Sequence, residues 1–427
     1  MNYSLPAFAR GLAGLLGLGL LASFAHAQTA TPTPGAPMTD RQRMLALLNL
    51  PTPPTPNKNR NHDEAKATPF PGPLPDPLVL KNGQPVKDAA TWWKLRRPEV
   101  FNDVMTEIYG KIPANTPKIT WVVNSVTDDG TVKTKSVSGH IDNSRYPAAT
   151  PSIEMTVYTP SKAAGPVPMI VEDITEGFGA PAAPGPGPNR AQAILLNNQL
   201  KALLVQENPE VKTILDKYPA YNPFPVPALP PPPSAAAQQV LAKGWGFAEF
   251  NTNSVQADSS AGLTSGIIGL MNEGQPRSRP DEWGVLAAWA WGLSKACDYF
   301  ETDPDVDAKQ LGLEGFSRWG KTAVLAAAIE PRWVVTWAGD SGAGGVKINR
   351  RDYGESLDDV AEENESYWMA GNYLKYAGRH WGDLPVDSHE LVALVAPRAV
   401  FITGGTADQN ADSYGMFLAG VGAGPVY

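Results

Sequence analysis

The sequence predicts an α/β protein in which a mainly parallel central sheet lies between two layers of helices. Through the C-terminal half, short apolar strands alternate with amphipathic helices, which is the pattern of a parallel sheet covered on both faces. One of these strands, near residue 313, ends in Gly-x-Ser and passes directly into a helix, as happens where a sheet presents a reactive serine. Apolar residues make up 42% of the 427 residues, which is enough for a large buried core.

The first 27 residues are predicted to be a secretion signal. Arg10 precedes an apolar stretch from Gly11 to Phe24, and Ala25-His-Ala has the small-residue pattern of a cleavage site. The apolar stretch is too short to cross a membrane as a helix. We therefore expect export to the periplasm or out of the cell, with no membrane anchor.

Residues 28–73 are predicted to form a proline-rich extension, either a linker or a wrap around the domain. One short helix is expected within it, at 41–50. The catalytic domain is predicted to span residues 74–427, with a proline-rich insertion at 181–233 around one helix at 191–205. A lid and a decorated loop are equally good interpretations of the insertion.

The domain is predicted to open with a helix at 91–109 that ends at Gly110. Two further helices are predicted between the later strands, at 282–298 and 321–330. Apolar or alternating runs predict strands at 119–123, 133–141, 152–158, 167–171, 244–250, 311–314, 333–338 and 399–403.

Charge and cysteine content exclude several classes of function. The net charge is −8 and no Lys/Arg-rich run occurs, which argues against nucleic acid as the main partner. Cys297 is the only cysteine, so a disulfide framework and a cysteine-rich zinc site are excluded. Its place in a predicted helix favours a buried structural thiol. We expect a monomer without a metal or another cofactor.

The segment 313–323 carries the predicted chemistry. Gly315 and Gly320 lack a Cβ and leave room for a tight turn, from which Ser317 is predicted to project as a nucleophile. The helix after the turn points its N-terminal N–H groups at the reacting carbon, where they favour a developing oxyanion. The alternative is that Ser317 only caps that helix.

Two cations lie beside the predicted nucleophile, Arg318 and Lys321. They suit an anionic or strongly polar acyl group. Arg318 is expected to donate to the oxyanion or to hold a sugar hydroxyl, and Lys321, one helical turn along, is expected to contact the substrate. The alternative is that both side chains pair with carboxylates such as Asp340.

The run Gly-Phe-Ser-Arg-Trp-Gly-Lys at 315–321 resembles the G-x-S-R-x-G-K signature of the glucuronoyl methylesterases, carbohydrate esterase family 15. The resemblance covers about residues 74 to 412 apart from the insertion. It implies an α/β-hydrolase fold without a metal and a Ser-His-acid triad. It also implies cleavage of the ester between glucuronic acid on xylan and lignin alcohols. The further stretches that resemble the family are 74–78, 92–100, 339–345, 354–356, 368–372 and 387–398.

A triad needs an acid that orients the histidine, and two candidates are equally favoured. Asp340 ends the strand after the serine helix, where many family members carry a glutamate. Asp408 follows the last predicted strand, which is the usual acid position of α/β-hydrolases. Asp412 is a weaker third candidate. For each of them the alternative is a helix cap or a turn.

None of the five histidines fits the position downstream of Asp408 at which this fold carries its catalytic histidine. His389 is expected to be structural, and His380 is a weak candidate for the base. We therefore expect the sequence to be a fragment that lacks the last strand, a helix and the catalytic histidine. A non-catalytic carbohydrate-binding relic is the alternative. The histidines are His26, His62, His140, His380 and His389.

The resemblance also implies polar residues and a tryptophan around the uronate. Glu363, with Asn364 beside it, falls in the matching stretch. The family tryptophan in the loop after the late strand is Asn410 here, which leaves uronate specificity open. Trp381 and Trp319 are the candidate aromatic surfaces for a sugar. A glucuronoyl ester of plant glucuronoxylan and lignin is the predicted substrate, and acetyl or cinnamoyl esters of the plant cell wall are the alternative.

Overall fold

The computed structural model describes residues 37–56, 59–67, 73–174, 190–218, 221 and 233–427. The predicted signal at 1–27 lies outside these residues, and so does part of the 181–233 insertion. The described residues from Thr39 onward belong to one compact unit. No described helix is both long enough and apolar enough to cross a membrane.

Eight strands form one sheet. They are β1 (Ile119–Asp128), β2 (Val132–Ile141), β3 (Ser152–Pro160), β4 (Val167–Ile174), β5 (Gly246–Asn251), β6 (Val306–Phe316), β7 (Trp333–Gly339) and β8 (Ala399–Thr403). Their order is β1-β2-β3-β5-β4-β6-β7-β8. The first three strands and the β3–β5 pair are antiparallel, and every other neighbouring pair is parallel. The predicted α/β fold with a mainly parallel sheet is confirmed.

The predicted helices are present, with shifted ends. The helix predicted at 282–298 begins only after Gly284, and the one predicted at 321–330 begins earlier, directly after Ser317. The segment predicted at 91–109 is helical from Ala89 to Tyr109, with π-helical turns at Trp92–Arg96 and Val104–Tyr109. The α-helices are α1 (Asp40–Leu47), α2 (Ala89–Thr91), α3 (Arg97–Asp103), α4 (Arg190–Glu207), α5 (Val211–Lys217), α6 (Ala235–Leu241), α7 (Thr252–Val255), α8 (Gly266–Met271), α9 (Val285–Phe300), α10 (Arg318–Ile329), α11 (Leu357–Val360), α12 (Ser388–Ala393) and α13 (Ser413–Ala423).

Side chains that alternate along the strands pack into two layers, one on each face of the sheet. Met169 and Val171 on β4 point into the main core, which also contains the buried faces of α9 and α10. The intervening Ile170 packs instead with Phe247 and with Ala237 of α6, on the opposite face. Because side chains alternate across a strand, a sheet with helices on both faces follows from this pattern.

The proline-rich extension wraps onto the domain from Thr39 onward. Thr39 caps α1 through a capping box with Gln42. Met44 of α1 is fully buried in the main core. Asp40 pairs with the buried Arg277 through two hydrogen bonds, one of them of 3.1 Å to the Arg277 Nε. This part of the extension is therefore a packed element of the domain.

Three glutamates stand side by side on the α6 face of the sheet. Glu172 on β4 is in register with Glu249 on β5 and with Glu314 on β6. Adjacent strands lie about 4.8 Å apart, so the carboxyl groups are close neighbours. Burial, together with the charge of Glu172, raises the pKa of Glu314 from 4.5 to about 7. The ionised Glu314 therefore opposes folding.

We predict that Glu314→Gln stabilises the protein at pH 8 and has little effect at pH 4.5. A raised pKa in the folded state means that the destabilisation is absent below the unfolded value of 4.5 and grows as the pH rises through about 7. The expected gain in free energy of unfolding at pH 8 is about 2 kcal/mol. Urea unfolding at both pH values measures it, with the exposed Glu210→Gln as control. An equal effect at both pH values would contradict this explanation.

Candidate active site

The predicted catalytic residues meet at one edge of the sheet. Ser317 follows β6, Asp340 follows β7, and Asp408 lies in the loop after β8. These three strands are parallel neighbours, so their carboxyl ends lie together. In α/β sheets this edge is where ligands bind.

Ser317 occupies a strained turn between β6 and α10. Its backbone has φ 59° and ψ −125°, outside the regions that side chains other than glycine normally adopt. The Ser317 N–H donates to Gly339 O at 2.8 Å, which ties the turn to β7. The Ser317 side chain makes no capping hydrogen bond to α10, and the residue is partly exposed. The Ser317 hydroxyl therefore does not cap α10, contrary to the helix-cap alternative, and its role as the nucleophile stays a prediction.

Gly315 is required by the close packing under this turn. A Cβ at Gly315 would lie 2.2 Å from Asp173 Oδ1 and 2.4 Å from Trp319 O. Asp173 is 1% exposed, and neither of its carboxyl oxygens has a hydrogen-bond partner in the described part of the chain. Burial raises the pKa of Asp173 well above its ordinary value. The Asp173 carboxyl group thus fills the space beneath the serine turn.

Arg318 is held beside the serine by an ion pair and two aromatic rings. Its Nη1 donates to Asp258 Oδ2 at 2.6 Å. The guanidinium carbon lies 4.8 Å from the ring centroid of Trp368 and 5.7 Å from that of Trp319. The side chain remains 30% exposed. The carboxylate that pairs with Arg318 is Asp258, and not the Asp340 suggested by the sequence.

Lys321 is buried, and its ammonium group is fully bonded within the protein. It donates to Ser341 O at 2.7 Å, to Ala343 O at 2.8 Å and to Glu355 Oε2 at 2.7 Å. An ammonium group has three donors, and these contacts use all of them. The substrate contact expected of Lys321 remains a prediction, and it requires one of these bonds to be exchanged.

Gly405, in the loop after β8, lies beside both candidate acids, Asp340 after β7 and Asp408 in the same loop. Asp340 Oδ1 accepts from the Gly405 N–H at 2.9 Å. Asp408 Oδ1 accepts from the N–H groups of Asn410 and Ala411, at 2.8 and 3.1 Å. A Cβ at Gly405 would lie 3.5 Å from Asp408 Cβ and 3.7 Å from Asp340 Oδ2, so the two acids are near neighbours. Burial raises the pKa of Asp340, and Asp408 adds to that effect.

Asp412, the third candidate acid, is 1% exposed. Both of its carboxyl oxygens accept from Arg351 Nε, at 3.2 and 2.9 Å, and Oδ1 also accepts from the Gly415 N–H at 3.0 Å. Asp412 therefore caps α13 and anchors Arg351.

A carboxyl group that the sequence did not single out lies among the cations of the site. Burial and the charge of Glu355 raise the pKa of Glu365 to about 7 against the opposing charges of Lys321, Arg60 and Arg318. Glu365 Oε2 has no hydrogen-bond partner among the described residues. The charges of Lys321 and Arg318, which lie beside Ser317, therefore act on Glu365.

The other predicted substrate contacts have different surroundings. Glu363 is half-buried two residues before Glu365. Trp381 is 4% exposed, its Nε1 donates to Asp358 Oδ1 at 2.9 Å, and Arg379 covers its ring at 5.0 Å. This is the environment of a core tryptophan, and a sugar contact at either residue remains a prediction.

No histidine in the described part of the chain is hydrogen-bonded to Ser317 or to a candidate acid. His389 is 1% exposed, and its Nε2 lies 2.7 Å from Pro75 O, which fits the structural role expected of it. The exposed His380 lies 3.5 Å from Asp383. The described histidines are His62, His140, His380 and His389. Among the described residues no cluster of three or more His, Cys, Asp or Glu side chains has a metal-binding arrangement.

Known proteins share both the sequence and this fold. A family model described as "Glucuronyl esterase, fungi" matches residues 217–427. Carbohydrate esterase MZ0003, from an unknown prokaryotic organism, is 30% identical over 362 residues, which are 83% of this chain and 78% of the relative. The chain belongs to carbohydrate esterase family 15. Members of this family are serine carboxylic-ester hydrolases.

Two further comparisons extend the family assignment. A family 15 glucuronoyl esterase from Teredinibacter turnerae T7901 has a TM-score of 0.73 and 32% identity, covering 91% of this chain and 87% of its own. A 4-O-methyl-glucuronoyl methylesterase from Podospora anserina is 36% identical over 128 residues, which are 28% of this chain and 26% of the relative. The match to a solved family 15 structure thus spans most of the domain.

The sequence motif found the family 15 serine turn but missed the residues that surround it. Asp173, Asp258, Glu355 and Glu365 all lie outside the G-x-S-R-x-G-K run. The run contains no information on which distant carboxylates pair with its two cations. A signal for Asp173 was available, because it lies at the carboxyl end of β4, just after the strand predicted at 167–171.

We predict that Gly315→Ala destabilises the protein, because the new methyl group overlaps the Asp173 carboxyl group and the Trp319 carbonyl. The expected loss is at least about 2 kcal/mol of unfolding free energy. Urea unfolding measures it, with Gly165→Ala as the matched control because no atom lies within 4 Å of a Cβ there. Equal stability of the two variants would show that the space beneath the turn is not filled as described.

Proposed function

We propose that this protein hydrolyses esters of glucuronic acid, including the 4-O-methyl form, that join plant glucuronoxylan to lignin alcohols. The observation that carries the proposal is Ser317, which is uncapped and partly exposed in a strained turn beside Arg318. Membership of family 15 supports it. So does the name of the Podospora anserina relative, a 4-O-methyl-glucuronoyl methylesterase.

In the proposed reaction the Ser317 Oγ attacks the ester carbonyl carbon. The carbonyl oxygen becomes an oxyanion, and the first N–H groups of α10, which have no intrahelical acceptor, lie at the turn to stabilise it. Arg318 supplies a charged donor from the same turn. The bond to the alcohol then breaks, and water releases the uronic acid from Ser317 in a second step.

The proton of Ser317 passes to a general base, which we infer to be a histidine, as in a Ser-His-acid triad. Asp340 or Asp408 orients that histidine. Their proximity across Gly405 supports a shared position for the acid, and it leaves both carboxylates as candidates.

We infer that Glu365 binds a sugar hydroxyl of the uronate. Its Oε2, which has no hydrogen-bond partner among the residues that the structure describes, and the effect of the Lys321 and Arg318 charges on its pKa support this role. A carboxyl group that has a pKa of about 7 accepts or donates a hydrogen bond to a hydroxyl near neutral pH. Export from the cytoplasm, supported by the predicted signal, would bring the protein to such a substrate.

Asn410 favours a second candidate substrate class, the acetyl or cinnamoyl esters of the plant cell wall. An open cavity of about 550 Å³ lies at this residue, where the family resemblance leads us to expect a tryptophan. Its lining is polar, and Arg60 Nη1 donates to Asn410 Oδ1 at 3.2 Å. Initial rates on benzyl glucuronate and on acetylated xylan separate the two classes. The cavity is lined by Asn59, Arg60, His62, Asp359 and Asn410.

We predict that the protein releases benzyl alcohol from benzyl glucuronate when its general base is present, and that Ser317→Ala then lowers kcat by about 10⁴-fold or more, because the nucleophile is lost. Chromatographic detection of the alcohol measures the rate. Ser144→Ala, at an exposed serine in the loop between β2 and β3, is the control for handling. Activity that survives Ser317→Ala refutes the assignment of the nucleophile, and a lack of turnover by the unaltered protein favours a carbohydrate-binding role.

Asp340→Asn and Asp408→Asn should affect the reaction unequally. Replacing the carboxylate that orients the histidine is expected to lower kcat by about 10³- to 10⁴-fold. Replacing the other carboxylate is expected only to perturb the Gly405 loop. Steady-state kinetics of both single variants and of the double variant measure this. Small effects of both single variants would place the acid elsewhere.

A further inference from the structure

Asp258 joins three segments of the chain around the serine turn. Besides Arg318, its carboxylate accepts from the Trp368 Nε1 at 2.7 Å and from the Tyr367 hydroxyl at 3.0 Å, both at Oδ1. Its other oxygen, Oδ2, accepts from Arg318 Nη1 at 2.6 Å. The side chain is 13% exposed. The carboxylate is therefore fixed by two donors at one oxygen and holds the guanidinium with the other.

The loop that carries Asp258 is itself rigidly anchored. The fully buried Gln256 accepts from the Ile268 N–H at 3.0 Å and donates to Gly262 O at 2.7 Å. The Gln256 carbonyl accepts from Trp289 Nε1 at 2.7 Å, which attaches the loop to α9. Asp258 is thus presented from the core of the domain by groups that cannot move without losing buried hydrogen bonds.

Arg318 depends on this anchor for its position. In the described part of the chain, Asp258 is the only side chain that accepts a hydrogen bond from the Arg318 guanidinium. A guanidinium group has five N–H donors, so donors remain for a substrate oxygen while Nη1 is occupied. An unanchored arginine has many rotamers, and a donor that must be ordered during the reaction stabilises the oxyanion less than one that is already in place.

We propose that Asp258 is a positioning residue that holds the Arg318 guanidinium where it donates to the oxyanion formed at Ser317. The proposal rests on the function proposed above. Asp258 does not touch the substrate and acts through Arg318. The ring of Trp368, which donates to the same carboxylate and stacks on the same guanidinium, completes the clamp on Arg318.

The first test is Asp258→Asn, which keeps the shape of the side chain and removes its charge. We expect kcat on benzyl glucuronate to fall about 10- to 100-fold while KM changes less than about 3-fold, because only the transition state carries the oxyanion. Arg318→Ala is expected to lower kcat about 10²- to 10³-fold. In the Arg318→Ala background, Asp258→Asn should cause little further loss, because its route of action is already gone.

Asp298→Asn is the matched control. It breaks an Arg332–Asp298 ion pair of 2.8 Å at the opposite edge of the sheet, with a similarly exposed arginine. It should leave kcat unchanged. The proposal is overturned if Asp258→Asn changes KM alone, changes nothing, or lowers kcat equally with and without Arg318.

A second readout does not need turnover. Phenylboronic acid forms a tetrahedral anionic adduct with a serine hydroxyl, and its affinity is measured by calorimetry with Ser317→Ala as the blank. We expect Asp258→Asn and Arg318→Ala each to weaken boronate binding about 10-fold or more. If Asp258→Asn fails to fold, Asp258→Glu is the variant tested, and it is expected to keep part of the affinity. If the variants bind the boronate more weakly but the unaltered protein does not hydrolyse benzyl glucuronate, the results support the role of Asp258 and contradict only the proposed substrate. Unchanged boronate affinity would overturn the role.

Discussion

The backbone of Ser317 is the constraint on which the site depends. A left-handed conformation at a serine costs about 1–3 kcal/mol, and it persists only where the surrounding structure leaves no alternative. The surroundings here are the hydrogen bond to Gly339 and the packing of Asp173 against Gly315. Together they place a hydroxyl at the end of β6, at the start of a helix, and beside two cations.

The two cations have separate roles although they lie one helical turn apart. The Lys321 side chain is 3% exposed and holds the loop after β7 through two carbonyls and Glu355. The Arg318 side chain is 30% exposed and has one carboxylate partner in the described residues. Built-in carboxylates thus neutralise both charges before any substrate arrives. A positive charge in the sequence is therefore not by itself a sign of an anion-binding site.

Much of the fold and the centre of the site could be predicted because both depend on local patterns. Strand and helix periods gave the parallel sheet; Ser317 and Asp340 each follow a strand directly, and Asp408 lies in the loop after the next one. Asp258 and Glu365 could not be predicted in the same way. Asp258 is 60 residues from Arg318 in sequence, and only the folded chain brings them together. The exact ends of α9 and α10 depended on turn geometry at Gly284 and Ser317, which overrides apolar periodicity.

The docking of α1 sets where an independently stable version of the domain can begin. Arg277 is 1% exposed, and its charge is balanced by Asp40 from the proline-rich extension. A shortened chain that starts at Leu74 would leave that guanidinium buried without its carboxylate partner, which would lower the free energy of unfolding by roughly 3–5 kcal/mol. The sequence left open whether the extension is a linker or a wrap, and the Asp40–Arg277 pair makes Thr39 the practical boundary for any domain fusion or truncation.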